Sequence, residues 1–227
     1  MLNVVQLSCE RDDRLLFSNV SFQLGSGEIL QIEGRNGAGK TSLLRIIAGF
    51  SSSLSGDVFW NGQLLSKVYA DFRHNCFFLG HTPGLKLDLT PLENLIWRAK
   101  LANTMVNREG LLSALERVQL ADYEDIPCSN LSAGQLRRVA FAGLIASKSR
   151  LWILDEPFTA IDIEGVSWLE SLFDEHLHQA GMVLVTSHQP LNDRRKKLRK
   201  LNLEHFAEQG DADEKLADDP GMLNVER

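Results

Sequence analysis

Gly34-Arg35-Asn36-Gly37-Ala38-Gly39-Lys40-Thr41-Ser42 decides how the rest of this chain is read. It fits G-x-x-x-x-G-K-[ST], a loop that cradles phosphate. Glycines lacking Cβ let consecutive backbone N–H groups turn toward one anion. The helix that starts at the loop adds the positive end of its dipole. At this spacing Lys40 reaches the β- and γ-phosphates of a nucleotide, and the Thr41 hydroxyl becomes a ligand for Mg²⁺. The flanks agree. Glu28-Ile29-Leu30-Gln31-Ile32-Glu33 reads as a short strand, and Ser42 to Gly49 as a helix closed by glycine. A glycine-rich turn with a chance lysine would not need that strand, loop and helix order.

Working outward, the 227 residues suit one domain, or one domain with a small subdomain. An apolar fraction of 44% supplies a sizeable core. The net charge of -6 disfavours bulk nucleic-acid binding, so no nucleic acid is expected as a partner. Cys9, Cys76 and Cys128 are far apart and odd in number, which suggests a reducing compartment and neither a metal site nor a disulfide frame. The first residues lack the basic and apolar regions of a signal peptide, and no stretch is apolar enough to span a bilayer. The expectation is a cytoplasmic protein or one bound to a cytoplasmic surface.

The segments before the P-loop read as strands: Leu2 to Leu7, and Val20 to Leu24 with period-two alternation. Gly56 to Gly62 reads as a strand ending in an Asn-Gly turn. Cys76 to Leu79 is an apolar strand, Pro91 to about Leu120 is helical in pattern, and Ser132 to Ser147 is a second helical block. Leu151 to Leu154 and Met182 to Thr186 read as buried strands, with a helix over Ile163 to Gln179 between them. Arg194 to Lys200 is a basic run, either a solvated surface or a contact for anionic lipid headgroups. From Glu204 onward the chain turns acidic, and about residues 207–227 read as a loosely ordered tail.

Three further pieces carry chemistry. The strand Leu151 to Leu154 ends in Asp155-Glu156. Adjacent carboxylates at a buried strand end need cations or hydrogen bonds. Asp155 suits the Mg²⁺-holding aspartate of P-loop enzymes, and Glu156 is placed to polarise the attacking water. Leu131-Ser132-Ala133-Gly134-Gln135 precedes a helix that Ser132 can cap, and Gly134 lets a phosphate approach the backbone. Taken alone, this is equally a capped helix start. His188 follows the last apolar strand, where a lone histidine is more often structural.

In this order the pieces resemble the nucleotide-binding domain of ATP-binding cassette proteins over residues 1 to about 205. Gly34 to Ser42 stands as Walker A, Leu131 to Gln135 as the signature, Leu151 to Asp155 as Walker B, Thr159-Ala160-Ile161-Asp162 as the D-loop and His188 as the switch histidine. The resemblance implies an α/β fold: a P-loop NTPase with a central, mostly parallel sheet, an antiparallel β subdomain and an α-helical subdomain at about 85–145. Residues 206–227 form the acidic tail. It implies ATP and Mg²⁺, with Thr41 and Asp155 on the metal, Lys40 and His188 on phosphate, and Glu156 as the base. Ser132, Gly134 and Gln135 would serve the nucleotide of a second protomer in a homodimer. Two positions depart from the family. His81 stands where a glutamine usually links the metal site to the membrane subunit, so it becomes the candidate third metal contact. Arg11 stands where an aromatic residue usually stacks on adenine, and a guanidinium can also stack on a base.

Cys9-Glu10-Arg11, Leu79-Gly80-His81 followed by Pro83-Gly84-Leu85-Lys86, and Glu93-Asn94-Leu95 with Trp97 resemble the branch of the family that serves cytochrome c maturation, the haem exporter ATPases. That implies a translocase subunit peripheral to the cytoplasmic face of the bacterial inner membrane. Its partners would be an integral-membrane permease and a haem-handling membrane protein. ATP hydrolysis would be coupled to haem export or to release of a haem-loaded chaperone. An ATPase for another solute is the alternative within the family, and a glutamine in place of His81 would favour it. Soluble cassette ATPases usually carry two cassettes or a long coiled-coil insertion, and this chain has neither. The signature segment and His188 argue against a kinase or nucleotide-gated switch.

Overall fold

The strands that end in the P-loop and in the paired carboxylates lie close together in one parallel sheet. The computed structural model describes residues 1–102, 105, 107–159, 161–187, 191 and 198–207. The chain opens with an antiparallel pair, β1 (Leu2–Arg11) and β2 (Arg14–Leu24). Asp12 and Asp13 turn it with φ of 52° and 57°. Aspartate tolerates that left-handed region, and two such residues match the twist of a tight hairpin. β3 (Ile29–Glu33) leads into the P-loop and α1 (Lys40–Ile47). β4 (Ser55–Trp60) and β5 (Gln63–Leu64) flank the Asn61-Gly62 turn and complete an antiparallel sheet of order β2-β1-β4-β5.

After α2 (Tyr69–Asn75), β6 (Cys76–Leu79) enters the second sheet. The helical stretch read across 91–120 is two helices, α3 (Pro91–Leu101) and α4 (Arg108–Arg117), and α5 (Ala133–Ala146) packs against both. Then come β7 (Leu151–Asp155), α6 (Ile163–His178), β8 (Met182–Thr186) and β9 (Leu198–Asn202). The second sheet has order β6-β7-β8-β3-β9 and every pair in it is parallel.

Both faces of this sheet are covered. All ten residues of β7 and β8 are buried, which is why they read as continuous apolar runs rather than alternating ones. Their side chains divide by parity. Leu151, Ile153, Met182 and Leu184 join the core that holds α1 and the antiparallel sheet. Trp152, Leu154, Val183 and Val185 join the core that holds α3 to α6. Leu43, Leu44, Ile46 and Ile47 of α1 are all buried in the first of these cores, each worth about 1.5–3 kcal/mol of transfer free energy. That burial fixes the helix, and through it the loop that the helix closes.

The basic run is only partly in view. Residues 192–197 lie outside the described residues, but Leu198, Arg199 and Lys200 form part of β9. Arg199 donates to the Gln23 carbonyl at 2.7 Å and lies 3.7 Å from the Glu28 carboxylate, while Lys200 lies 3.4 Å from Glu33. These two cations are exposed on an edge strand, where charges are tolerated, and are paired with neighbouring carboxylates. The turn Leu203–Phe206 then packs on β2, so the ordered chain continues past Glu204. Of the expected tail, residues 208–227 lie outside the described residues.

Candidate active site

β3 ends at Glu33, and the P-loop leaves it through Gly34, Gly37 and Gly39, with φ of 143°, 82° and 94°. Gly39 caps α1 from the left-handed region, and a Cβ there would lie 3.0 Å from the Phe17 ring. A side chain would therefore be strained by conformation and crowded by β2. The first turn of the loop is held from the far end of the chain: Arg35 N–H donates to Glu204 Oε1 at 2.7 Å. Lys40 is buried, and its Nζ donates to the carbonyls of Gly34 at 2.6 Å and Arg35 at 3.2 Å. Its ammonium thus curls back over the loop, inside the cradle.

β7 delivers Asp155 beside α1. Thr41 Oγ1 donates to Asp155 Oδ2 at 2.8 Å, and Thr186 Oγ1, from the end of β8, donates to Asp155 Oδ1 at 2.8 Å. Both carboxylate oxygens of this buried residue are therefore satisfied, as a buried charge requires. Glu156 follows at φ 51°, and its N–H donates to Thr186 Oγ1 at 3.0 Å. A cleft of about 630 Å³ opens over these groups, lined by Arg11, Asp12, Arg14, Leu16, Arg35, Asn36, Gly37, Gly39, Lys40, Thr41, Ser42, His81, Asp155, Glu156 and Thr159. The expected phosphate loop, both carboxylates, Arg11 and His81 therefore converge on one space. Arg11 sits at its mouth, well exposed, 3.7 Å from Asp12. No Phe, Tyr or Trp is among the described lining residues.

Ser132, Gly134 and Gln135 are not among the residues that line this cleft. They form the start of α5, where Ser132 Oγ accepts from Gln135 N–H at 3.2 Å and Gln135 Oε1 accepts from Ser132 N–H at 2.8 Å. This reciprocal box is a stable cap by itself. Gly134 instead lines a smaller cavity of about 160 Å³ with Ile161 and Asp162. His188, and Ala160 of the D-loop segment, lie outside the described residues.

Two side chains here escaped the sequence reading. Thr186 looked like the last residue of a buried strand, yet it bridges Asp155 and the Glu156 backbone. Arg137 is buried, and its guanidinium donates to the carbonyls of His81 at 2.9 Å and Glu156 at 2.5 Å. Burial pulls that guanidinium below its ordinary pKa, and the neighbouring charges of Asp155 and Glu156 act in the opposite sense. The available signal was a cation two residues before the apolar run Val139-Ala140-Phe141-Ala142, on a helix that must bury one side.

The sequence model described as "ABC transporter" matches residues 17–159. The chain is 49% identical over 203 residues to the "Cytochrome c biogenesis ATP-binding export protein CcmA" of Escherichia coli O6:H1, an alignment covering 89% of this chain and 96% of that protein. Among solved structures it is similar to the "ATP binding subunit of ABC transporter", with a TM-score of 0.80, 24% identity and coverage of 89% and 86%. It is also similar to a dimeric "post-hydrolysis state" of an ATP-binding cassette "bound to ADP and Pi", with a TM-score of 0.73, 22% identity and coverage of 83% and 88%. Those two likenesses extend to the fold.

Proposed function

We propose a function from the premise that the chain belongs to the ABC transporter family: it is the ATP-hydrolysing subunit of a bacterial inner-membrane complex for cytochrome c biogenesis. The observation that carries the chemistry is the array Thr41–Asp155–Thr186–Glu156 at the foot of the P-loop. The support for the biological role is the 49% identity with CcmA over nearly the whole of both chains. In this reading ATP hydrolysis is coupled to haem export or to release of a haem-loaded chaperone. The partners are a membrane permease and a haem-handling membrane protein. Among the described residues no helix is long and apolar enough to cross a membrane. In this reading the subunit sits peripherally at the cytoplasmic face of that complex. Residues 1–205 would form the ATP-binding domain, with its helical subdomain at about 85–145.

Phosphoryl transfer asks a protein for positioning and charge stabilisation rather than covalent chemistry. Lys40 would exchange its contacts with the Gly34 and Arg35 carbonyls for β- and γ-phosphate oxygens. Backbone N–H groups from Gly37 to Ser42 would hold the phosphates, and Arg11 would pack on the base. Thr41 and Asp155 offer the hard oxygen donors that Mg²⁺ takes, with water and phosphate completing its shell. Bound Mg²⁺ neutralises charge on the phosphates. His81 offers a softer imidazole donor among the residues that line the cleft. Glu156 would accept the proton of the attacking water, and His188 would contact the γ-phosphate.

The same reading puts the permease on the surface that follows His81. Leu92 and Leu95 of α3 are buried, whereas Lys86, Leu87 and Asp88 are exposed and the Lys86 ammonium lies 4.7 Å from the Trp97 ring centroid. An exposed apolar residue flanked by charges and a half-buried tryptophan suits a helix-in-groove contact. The test of the chemistry is multiple-turnover ATP hydrolysis, with and without the permease, by wild type and Glu156→Gln. The variant should bind ATP normally and turn over roughly 10²–10⁴-fold more slowly, the range for losing a general base. Unchanged turnover would remove Glu156 from that role.

A further inference from the structure

Arg137 stands about one turn into α5, on its buried side. Among the described residues its guanidinium meets no carboxylate oxygen within hydrogen-bond distance; its partners there are main-chain carbonyls of two separate segments. Nη1 donates to His81 O at 2.9 Å and Gly80 O at 3.4 Å. Nη2 donates to Glu156 O at 2.5 Å and Asp155 O at 3.5 Å, and Nε donates to Pro157 O at 3.4 Å. Hydrogen bonds from a charged donor are about twice as strong as neutral ones. Because the guanidinium is a rigid plane, it also fixes the angle between the groups it joins.

What it joins is informative. Glu156 is a non-glycine residue at φ 51°, a conformation that persists only where the surroundings over-determine it. Its peptide is held on both sides: the N–H by Thr186 Oγ1, the carbonyl by Arg137 and by the N–H of Thr159 at 3.2 Å. The same guanidinium plane holds the His81 segment, which follows β6 as Glu156 follows the adjacent strand β7. At 1.5 Å per residue, Arg137 lies only about 7.5 Å along the helix axis from Ser132. A rigid shift of the capped start of α5 therefore reaches Arg137 almost undiminished.

We propose that Arg137 is a positioning residue for hydrolysis: it holds the Glu156 backbone in its left-handed turn and ties that turn to the His81 segment. Movement of α5, driven from Ser132 to Gln135 or from the membrane partner through His81, then changes where the Glu156 carboxylate points. Thr186 sets the N–H side of the Glu156 peptide and Arg137 sets the other. This inference rests on Glu156 being the base.

The experiment uses the full chain, alone and with its permease, as Arg137→Lys and Arg137→Gln, each also in a Glu156→Gln background. ATP affinity, KM, kcat and the thermal midpoint are measured, with kcat expressed per ATP-binding molecule. Arg137→Lys keeps a buried cation but loses the fork. It should bind ATP and retain KM within about 3-fold while kcat falls by about 10²-fold, the pattern of an interaction felt in the transition state. In the Glu156→Gln background the same change should cost nothing further, because the carboxylate that Arg137 positions is gone. An unchanged kcat in Arg137→Lys, or an equal fall in both backgrounds, overturns the proposal. Loss of ATP binding in both Arg137 variants also overturns it and leaves Arg137 a structural brace. Full turnover by Glu156→Gln itself sinks the base assignment, an outcome distinguishable from failure of Arg137 alone.

Discussion

His176 closes the last turn of α6 with its ring stacked on Trp152, centroids 3.6 Å apart and planes 6° apart, and its Nε2 lies 3.2 Å from the Arg150 carbonyl. Gly181 makes room for it, since a Cβ there would lie 2.3 Å from Nε2. Burial pushes the imidazole pKa down to about 4. The ordinary value is about 6.5, so between those limits the unfolded chain binds a proton that the folded chain refuses. Stability tied to His176 is complete above pH 6.5 and is lost as pH falls toward 4. Thermal midpoints at pH 7.5, 6 and 5 should therefore fall more steeply for wild type than for His176→Gln. Parallel profiles would mean that the ring is not held neutral. Neither this stack nor Arg137 was legible in the sequence, whereas Lys40, Thr41 and Asp155 were. The latter sit at fixed offsets in contiguous motifs. The former depend on which residues of distant segments the fold brings under them.

Among the elements, β3, β7 and β8 were readable because strands covered on both faces are apolar at every position. β9 was not, because an edge strand tolerates Arg199 and Lys200, and its pairing with β3 is a long-range event. α2 was missed because Phe72 is its only buried residue, too little for a periodic pattern. The loop before α3 is a third case: its shape depends on one buried amide. Asn94 Oδ1 accepts the Lys86 N–H at 2.8 Å, and its Nδ2 donates to the carbonyls of Lys86, Leu89 and Thr90. Held from beneath, the exposed residues Lys86 to Asp88 can change without unfolding the loop. Lys86→Glu and Asp88→Lys should therefore keep ATP binding while losing co-purification with the permease and most cytochrome c. Normal assembly and yield in both variants would move the docking site elsewhere and deprive His81 of its proposed mechanical role.

At the scale of the molecule, the described residues that line the P-loop cleft come from the β1–β2 hairpin, the phosphate loop and the segments at the ends of β6 and β7. The phosphate loop, Asp155 and Glu156 face it, but the start of α5 does not. A nucleotide in this cleft would leave its outer face to solvent, which suits poorly a reaction that depends on preorganised charge. A second copy, related by a two-fold axis, would bring its own Ser132 to Gln135 over that face, and the symmetry would build two equivalent sites. If so, Ser132→Arg should abolish turnover while leaving ATP binding to the isolated chain intact, because Ser132 lies outside its own cleft. Lys40→Ala should abolish turnover by the opposite route, by weakening ATP binding. In a mixed dimer of these two inactive chains, one of the two sites combines an intact P-loop with an intact Ser132 segment. Half the dimers in an equal mixture are mixed and half their sites are whole, so sites that act independently should restore about a quarter of wild-type activity. Purified mixtures shown to contain heterodimers, yet without activity, would mean that Ser132 does not serve the neighbouring chain as an independent partner. Either the start of α5 would then not complete the neighbour's site at all, or both sites would have to be whole before either fires.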